Sequence, residues 1–153
     1  MTDDPEHIVN WQRLDARTTT SGRLKAEDLA KLAAAGVRHV INLALIDSPG
    51  ALAGEDALVA AQGLHYTHIP VPFDAPEEAH YQAFRAAFDA GDEPVHVHCI
   101  ANWRVSAFFY RYNRERGMAE AEARAIMAQQ WQPETYDGKD APTWTRFIQD
   151  GDY

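Results

Sequence analysis

One stretch decides the fold: Val95-His96-Val97-His98-Cys99-Ile100-Ala101-Asn102-Trp103-Arg104-Val105-Ser106. Its short apolar run predicts a buried strand that enters a tight loop, and the loop ends on an arginine at the start of an amphipathic helix. A helix N-terminus offers unpaired N–H groups and the positive end of a dipole, and successive loop amides can form a concave anion site. The stretch therefore predicts an oxyanion site beside the single cysteine of the chain.

The residues at the two ends of this loop are suited to nucleophilic chemistry. The positive field at a helix N-terminus favours the thiolate form of Cys99, which makes this thiol a candidate nucleophile. Arg104 adds a planar guanidinium that can bind two oxygens of one anion. The alternatives are a buried structural cysteine and a solvated arginine, although a cation in the first turn of a helix opposes the helix dipole.

Helical and strand patterns alternate on both sides of this stretch. The apolar spacing predicts helices over 25–35, 55–62, 76–90, 104–116, 120–130 and 143–149, and strands over 37–45, 64–69 and 95–98. Weak alternation over 9–14 and 16–20 predicts two short edge strands, and residues 1–8 form an acidic N-terminal tail. We therefore expect residues 9–153 to form a single α/β domain with a mostly parallel central sheet flanked by helices.

Composition narrows the classes of partner. The chain has 153 residues, of which 46% are apolar, and a formal net charge of −9. Such a surface repels nucleic acids and anionic membranes, so neither is an expected partner, and an anionic ligand must be attracted by a local site. The start of the chain carries no apolar segment, and a single thiol suits a reducing compartment, so we expect a cytoplasmic protein. Its oligomeric state is left open.

The loop residues also carry a family resemblance. His98-Cys99, a short loop and Arg104 at the start of a helix resemble the signature of the cysteine-based protein tyrosine and dual-specificity phosphatases, which is His-Cys, five residues, Arg, then Ser or Thr. The wider layout is similar to a bacterial branch, the phosphatase-like domain of beta-lactamase hydrolase-like proteins, in Thr20-Ser21-Gly22, Val40-Ile41-Asn42-Leu43 and Ile69-Pro70-Val71. The resemblance extends over residues 10 to 130 and implies a protein tyrosine phosphatase-like fold.

The resemblance implies a two-step hydrolysis of phosphate monoesters. Cys99 would attack phosphorus, and water would then hydrolyse the thiophosphate. Arg104 would bind the phosphate oxygens together with the loop residues Ile100, Ala101, Asn102 and Trp103. Asp74, on the loop after the preceding strand, would protonate the leaving oxygen. The substrate would be a phosphorylated protein or a small phosphate monoester, with no metal and no cofactor.

Two further residues would support the thiolate by this resemblance. His98 would act through hydrogen bonds behind the loop. Ser106 stands one position later than the hydroxyl residue of the family signature, where this chain has Val105.

The length of the loop leaves two other functions open. Ile100 to Trp103 number four residues, one fewer than in the phosphatase signature, and none is glycine. A tighter loop of this kind is similar to that of rhodanese-type sulfurtransferases, which cradle a persulfide. Absence of glycine favours a phosphatase-like domain that binds an anion or a phosphoprotein without turnover. Within the loop, Asn102 best tolerates a positive φ.

Several of these residues have a structural interpretation as well. Asp74-Ala75-Pro76-Glu77 fits a helix capping box, so Asp74 is predicted as an acid, as an N-cap, or as both. His96 and His98 share one face of a strand, as a metal pair would, but the absence of nearby ligand spacing favours histidines in a hydrogen-bond network. Arg111, Arg114 and Arg116 are predicted to be a solvated helix end.

Overall fold

The computed structural model describes residues 3–151 and 153. Its strands are β1 Gln12–Arg13, β2 Thr18–Ser21, β3 His39–Asn42, β4 His65–His68 and β5 Val95–His98. Its α-helices are α1 Ala26–Ala34, α2 Glu55–Ala61, α3 Glu78–Asp89, α4 Trp103–Glu115, α5 Glu120–Ala128 and α6 Ala141–Gln149, and a 3₁₀ turn covers Pro133–Thr135. The predicted alternation of helices and strands is present, with ends that differ by a few residues.

The strands form one sheet in the order β1-β2-β5-β3-β4. Only the β1–β2 pair is antiparallel among the described strands, and the remaining pairs are parallel. The prediction of an α/β fold with a mostly parallel sheet is therefore confirmed. The prediction that residues 16–20 form an edge strand is wrong, because β2 lies between β1 and β5 and is buried throughout. The residues of β2 are threonine and serine, so a search for apolar patterns could not indicate that this strand is buried.

Two hydrophobic cores lie on opposite faces of the sheet. One packs Leu29 and Leu32 of α1 and Val59 of α2 against Val40 of β3. The other packs residues of α3 to α6 against the opposite face of β3 and β5, as the helical stripes predicted. Side chains alternate along a strand, so β5 directs its valines and Cys99 into the second core and its two histidines towards the side of α1 and α2.

The segment predicted as an acidic tail contacts the domain over its described residues. Ile8 is 3% exposed and belongs to the core beneath α1, and Asp4 forms an ion pair with Arg13 at 2.5 Å. Met1 and Thr2 lie outside the described residues. Within the described part of the chain, no helix is long and apolar enough to cross a membrane.

The basic end of α4 differs from its predicted solvated state. Arg111 is 2% exposed, donates to the Glu78 carboxylate at 2.9 Å and lies against the rings of Tyr81 and Phe147. The long arginine stem suits this position because it packs among aromatic rings while its head remains paired. Of the three arginines, Arg116 alone is exposed, so the predicted solvated end is wrong for Arg111.

Candidate functional site

Cys99 lies at the carboxyl end of β5, the central strand of the sheet. It is 1% exposed and contributes to the wall of a small open pocket of about 170 Å³. The pocket is lined by Phe73, Cys99, Ile100, Ala101, Trp103 and Arg104. The structure thus brings the predicted nucleophile, the predicted anion-binding arginine and most of the predicted loop residues to one pocket.

The loop carbonyls point away from this pocket towards donors of the protein. The Cys99 carbonyl accepts from His98 Nδ1 at 3.1 Å, the Ile100 carbonyl from the Arg23 N–H at 2.9 Å, and the Ala101 carbonyl from Asn10 Nδ2 at 2.9 Å. All peptide bonds of the described chain are trans. In a trans peptide the N–H points opposite to the C=O, so the following N–H groups are directed away from these donors.

Six consecutive N–H groups, those of residues 100–105, have no acceptor within residues 3–151 and 153. They begin directly after Cys99 and continue past Arg104 into the first turn of α4. Helical N–H groups at this position carry partial positive charge, and a run of loop amides adds to it. A loop with one free amide donor for each of its residues has the chemistry that can bind an anion in front of a thiol.

A positive φ at Asn102 provides the curvature of this loop. Its φ is 66° and its ψ is 13°, a left-handed conformation that asparagine tolerates better than most residues. The side chain is completely buried, and its Nδ2 donates to the Asn10 carbonyl at 2.9 Å and to Thr20 Oγ1 at 3.0 Å. The sequence expectation for this residue agrees with the structure, but its amide holds the loop from behind.

Close contact with Gly22 also fixes the loop. A Cβ atom at position 22 would lie 2.4 Å from the Ile100 carbonyl oxygen, which is too close for any other residue without displacement of backbone. The adjacent Arg23 N–H bonds that same carbonyl. The β2–α1 turn therefore needs glycine at this position to support the cysteine loop.

Arg104 is almost buried at the pocket wall. It is 6% exposed, donates from Nη1 to the Val71 carbonyl at 2.8 Å, and has its guanidinium carbon 5.9 Å from the Phe73 ring centroid. This bond uses one of five guanidinium donors and fixes the direction of the side chain. Arg104 is thus not the solvated residue of the alternative interpretation.

Asp74 lies on the loop that borders the same pocket. Its side chain is exposed and does not line the pocket, whereas the neighbouring Phe73 does. The helix that follows begins at Glu78, where the Glu77 N–H donates to His80 Nδ1 at 3.0 Å. The capping prediction for Asp74 is therefore wrong, since the N-cap is Glu77, three residues further along the chain, and His80 completes its capping box.

His98 is part of a buried polar pair. Its Nε2 lies 2.6 Å from Glu55 Oε2, and both side chains are at most 5% exposed. The Cys99 carbonyl can only accept, so His98 Nδ1 is the donor of that bond, and His98 Nε2 faces the Glu55 carboxyl group. Tyr66 lies beside Glu55, and burial raises the pKa of the Tyr66 hydroxyl, with the Glu55 charge contributing in the same direction.

His96 belongs to a separate hydrogen-bond network. Its Nδ1 lies 2.9 Å from Thr19 Oγ1, its Nε2 lies 2.8 Å from Ser21 Oγ, and its ring stacks on Trp11. Complete burial, followed by the nearby charge of His98, holds the His96 pKa well below its usual value. The described residues contain no group of three potential metal ligands, and the contacts of His96 are those of a network histidine.

Ser106 supports the loop without reaching the thiol. Its hydroxyl donates to Asn102 Oδ1 at 3.3 Å. On the other side of the loop, Trp103 stacks on Trp131 with ring centroids 4.9 Å apart, and Trp131 Nε1 donates to the Trp103 carbonyl at 2.9 Å. Phe73 packs against both rings, so an aromatic wall borders the pocket.

Three residues of this site were not identified from the sequence: Asn10, Glu55 and Phe73. Asn10 also has a positive φ, of 52°. Asparagine is enriched at positive φ, so its residue type was the one sign in the sequence of this conformation. Glu55 was assigned only to a helix start, and Phe73 stands beside the predicted acid. Their partners lie far away along the chain, so spacing alone could not connect them.

Comparisons with known proteins concern the family and the fold of this chain. The family model described as beta-lactamase hydrolase-like protein, phosphatase-like domain, matches residues 12–111. No curated protein gave a significant match. A crystal structure of a candidate phosphatase (DUF442) from Shewanella putrefaciens CN-32 is 31% identical, with a TM-score of 0.80, and the alignment covers 96% of this chain and 93% of that chain.

More distant structures share the fold. P. aeruginosa TpbA in complex with pTyr is 18% identical, with a TM-score of 0.71 and coverage of 99% of this chain and 89% of that chain. The core catalytic domain of the PP-IP phosphatase SIW14 from S. cerevisiae is 10% identical, with a TM-score of 0.72 and coverage of 95% and 88%. At these identities the likeness concerns the fold alone, and it confirms the expected protein tyrosine phosphatase-like architecture.

Proposed function

Because the chain belongs to the family of phosphatase-like domains of beta-lactamase hydrolase-like proteins, we propose that it hydrolyses phosphate monoesters through a thiophosphate on Cys99. The observation that carries this proposal is the run of N–H groups over residues 100–104, which have no acceptor in the described chain and lie between Cys99 and Arg104. Amides and a guanidinium in this arrangement suit a phosphoryl group whose charge is spread over three equatorial oxygens.

The proposed reaction has two steps. In the first, the Cys99 thiolate forms a bond to phosphorus while the P–O bond to the leaving group breaks, and Asp74 donates a proton to the departing oxygen. In the second, water attacks phosphorus, the S–P bond breaks, and Asp74 takes a proton from that water. Inorganic phosphate leaves and the thiolate is restored.

The substrate class proposed is a phosphorylated protein or a small phosphate monoester. The pocket is small, and Phe73 and Trp103 form its aromatic side. Aromatic rings of this kind pack well against a flat aryl group. TpbA, which shares the fold, has been crystallised with phosphotyrosine, and an aryl phosphate is accordingly the first substrate to test.

The test compares wild type, Cys99→Ser and Arg104→Ala in hydrolysis of a chromogenic aryl phosphate. Cys99→Ser removes the thiolate while keeping a side chain of similar size, so hydrolysis should fall to the background rate. Arg104→Ala should lower kcat/KM by about 10²-fold or more, because it removes a donor aimed at the oxyanion. Wild-type hydrolysis no faster than that of Cys99→Ser would refute the proposal.

A second candidate function is anion binding without turnover. It is favoured by the 1% exposure of Cys99 and by the Arg104 Nη1 bond to the Val71 carbonyl, since both restrain the groups that the reaction uses. Calorimetric binding of inorganic phosphate without hydrolysis of the aryl ester would identify this function. Transfer of sulfur from thiosulfate to cyanide, measured in the same preparation, would instead identify the sulfurtransferase suggested by the short loop.

A further inference from the structure

Glu55 and His98 form a buried ionisable pair. His98 is the residue directly before the cysteine, and it faces away from the pocket, towards α2. Glu55 is the first residue of α2 and lies 43 positions earlier in the chain. A carboxylate without a partner would be unfavourable at this depth, so the two side chains depend on each other.

The donors and acceptors of the pair fix where its protons lie. A backbone carbonyl only accepts, so His98 Nδ1 carries a proton and donates it to the Cys99 carbonyl at 3.1 Å. Glu55 Oε2 is 2.6 Å from Nε2, a short separation at which the two groups share a proton in a hydrogen bond. With Glu55 ionised, both ring nitrogens donate, and the ring is an imidazolium.

From this geometry we infer that Glu55 is a positioning residue, which keeps His98 oriented and doubly protonated so that positive charge lies directly behind the Cys99 carbonyl. The inference rests on the proposed function, because it takes Cys99 as the nucleophile. The charge of His98 and the dipole of α4 then act from two directions on the same thiol.

The surroundings of the pair are consistent with this role. The titratable groups near it include His96 on β5, Tyr66 and His68 on β4, and Asp56 on α2. Burial keeps His96 neutral and raises the Tyr66 pKa, so neither group carries a negative charge that could pair with His98 in place of Glu55. Asp56 is exposed and solvated.

Glu55 is also reachable from solvent on its far side. It lines a pocket of about 530 Å³, which Asn42, Tyr66 and His68 border as well. A small carboxylate could therefore enter from this pocket and occupy the space of a truncated Glu55 side chain. This permits a rescue experiment that separates the charge of Glu55 from its contribution to folding.

The test follows the rate of alkylation of Cys99 by iodoacetamide against pH, a measurement that needs no phosphatase turnover. Glu55→Gln keeps the size of the side chain but removes its charge, so His98 loses its second proton more readily. We expect the pH midpoint of alkylation to rise by about one unit, which corresponds to about tenfold slower alkylation below the midpoint. Asp56→Asn, an equal loss of charge on the same helix, should leave the midpoint unchanged.

Two further variants distinguish positioning from a structural role. His98→Asn keeps an N–H near the place of Nδ1 but carries no charge, so its midpoint should rise as in Glu55→Gln, and the double variant should show no additional rise. Formate should lower the midpoint of Glu55→Ala towards that of wild type, and it should not affect Glu55→Gln, in which the amide fills the site.

Three results would overturn the inference: an unchanged midpoint in Glu55→Gln, additive shifts in the double variant, or a formate effect that is equal in both Glu55 variants. Failure of aryl phosphate hydrolysis with the expected alkylation shifts would refute the phosphatase proposal while leaving the positioning role of Glu55 intact.

Discussion

Asn10 and Asn102 each hold the backbone of the other's segment. Asn102 Nδ2 donates to the Asn10 carbonyl, and Asn10 Nδ2 donates to the Ala101 carbonyl, both at 2.9 Å. Both residues have a positive φ, of 52° at Asn10 and 66° at Asn102, and these are the only non-glycine residues of the described chain with that conformation. Asn102 thus gives the loop a curvature that glycine commonly provides, and the two asparagines together anchor it to the segment before β1.

Replacement of Asn102 should separate curvature from anchoring. Asn102→Gly keeps the positive φ and loses the amide bonds, and it should lower the free energy of unfolding by about 2 kcal/mol. Asn102→Ala should cost about 1 kcal/mol more, because a Cβ is unfavourable in the left-handed region. Urea denaturation measures both values. Equal stability of the alanine and glycine variants would contradict the assignment of strain to this residue.

Asp74→Asn should affect catalysis and leave stability unchanged. Asp74 is exposed and caps no helix, so its removal should change the free energy of unfolding by less than about 0.5 kcal/mol. If it protonates the leaving oxygen, kcat should fall by about 10²-fold for phenyl phosphate and much less for an ester with a good leaving group such as nitrophenol. An equal fall for both esters would exclude the acid role.

Arg104→Lys should weaken anion binding although the charge is kept. Lysine lacks the planar donor fork and cannot hold the Val71 carbonyl and an oxyanion in the same geometry. We expect kcat/KM for the aryl phosphate to fall by about tenfold to 10²-fold. Arg116→Lys, at the exposed end of the same helix, is the matched control and should behave like wild type.

Trp131→Ala should damage the loop through its aromatic wall. Trp131 stacks on Trp103 with an interplanar angle of 4° and donates to the Trp103 carbonyl, so truncation removes a ring contact and a hydrogen bond together. The expected loss of unfolding free energy is about 3 kcal/mol or more. Trp131→Phe keeps part of the ring contact and should lose less. Matching losses in both variants would show that the ring contact contributes little.

Acid should destabilise the protein through His96. Burial lowers the His96 pKa, so below its ordinary value of 6.5 the unfolded chain binds a proton here that the folded chain does not bind. The free energy of unfolding should therefore fall with decreasing pH, by up to about 1.4 kcal/mol per pH unit between 6.5 and the folded-state pKa. Urea denaturation at pH 7 and pH 5 measures this loss. In His96→Gln the difference between the two pH values should shrink, and an unchanged difference would assign it to other groups.

The sequence predicted those features that depend on local periodicity. The strand Val95–His98 has the predicted bounds, and its valines face a core, because apolar alternation is a property of neighbouring residues. The polar Thr18–Ser21 strand was misplaced to an edge, since its burial depends on hydrogen bonds to His96 that no pattern shows.

Contacts between distant segments could not be predicted in this way. Residue types at two ends of a chain do not show that their backbones meet, so the Asn10–Asn102 contact and the Glu55–His98 pair became visible only in the fold. Asp74 and Glu77 illustrate the same limit at short range, because each suits a helix cap and the bond to His80 decides between them.

The hydrogen bonds that hold the loop carbonyls have a thermodynamic consequence. Since Cys99, Ile100 and Ala101 each have a carbonyl bonded to the protein, the conformational entropy of this segment is lost when the chain folds. An anion that bound in the pocket would meet N–H groups that are already held in place. We therefore expect its association to need no slow step of loop ordering.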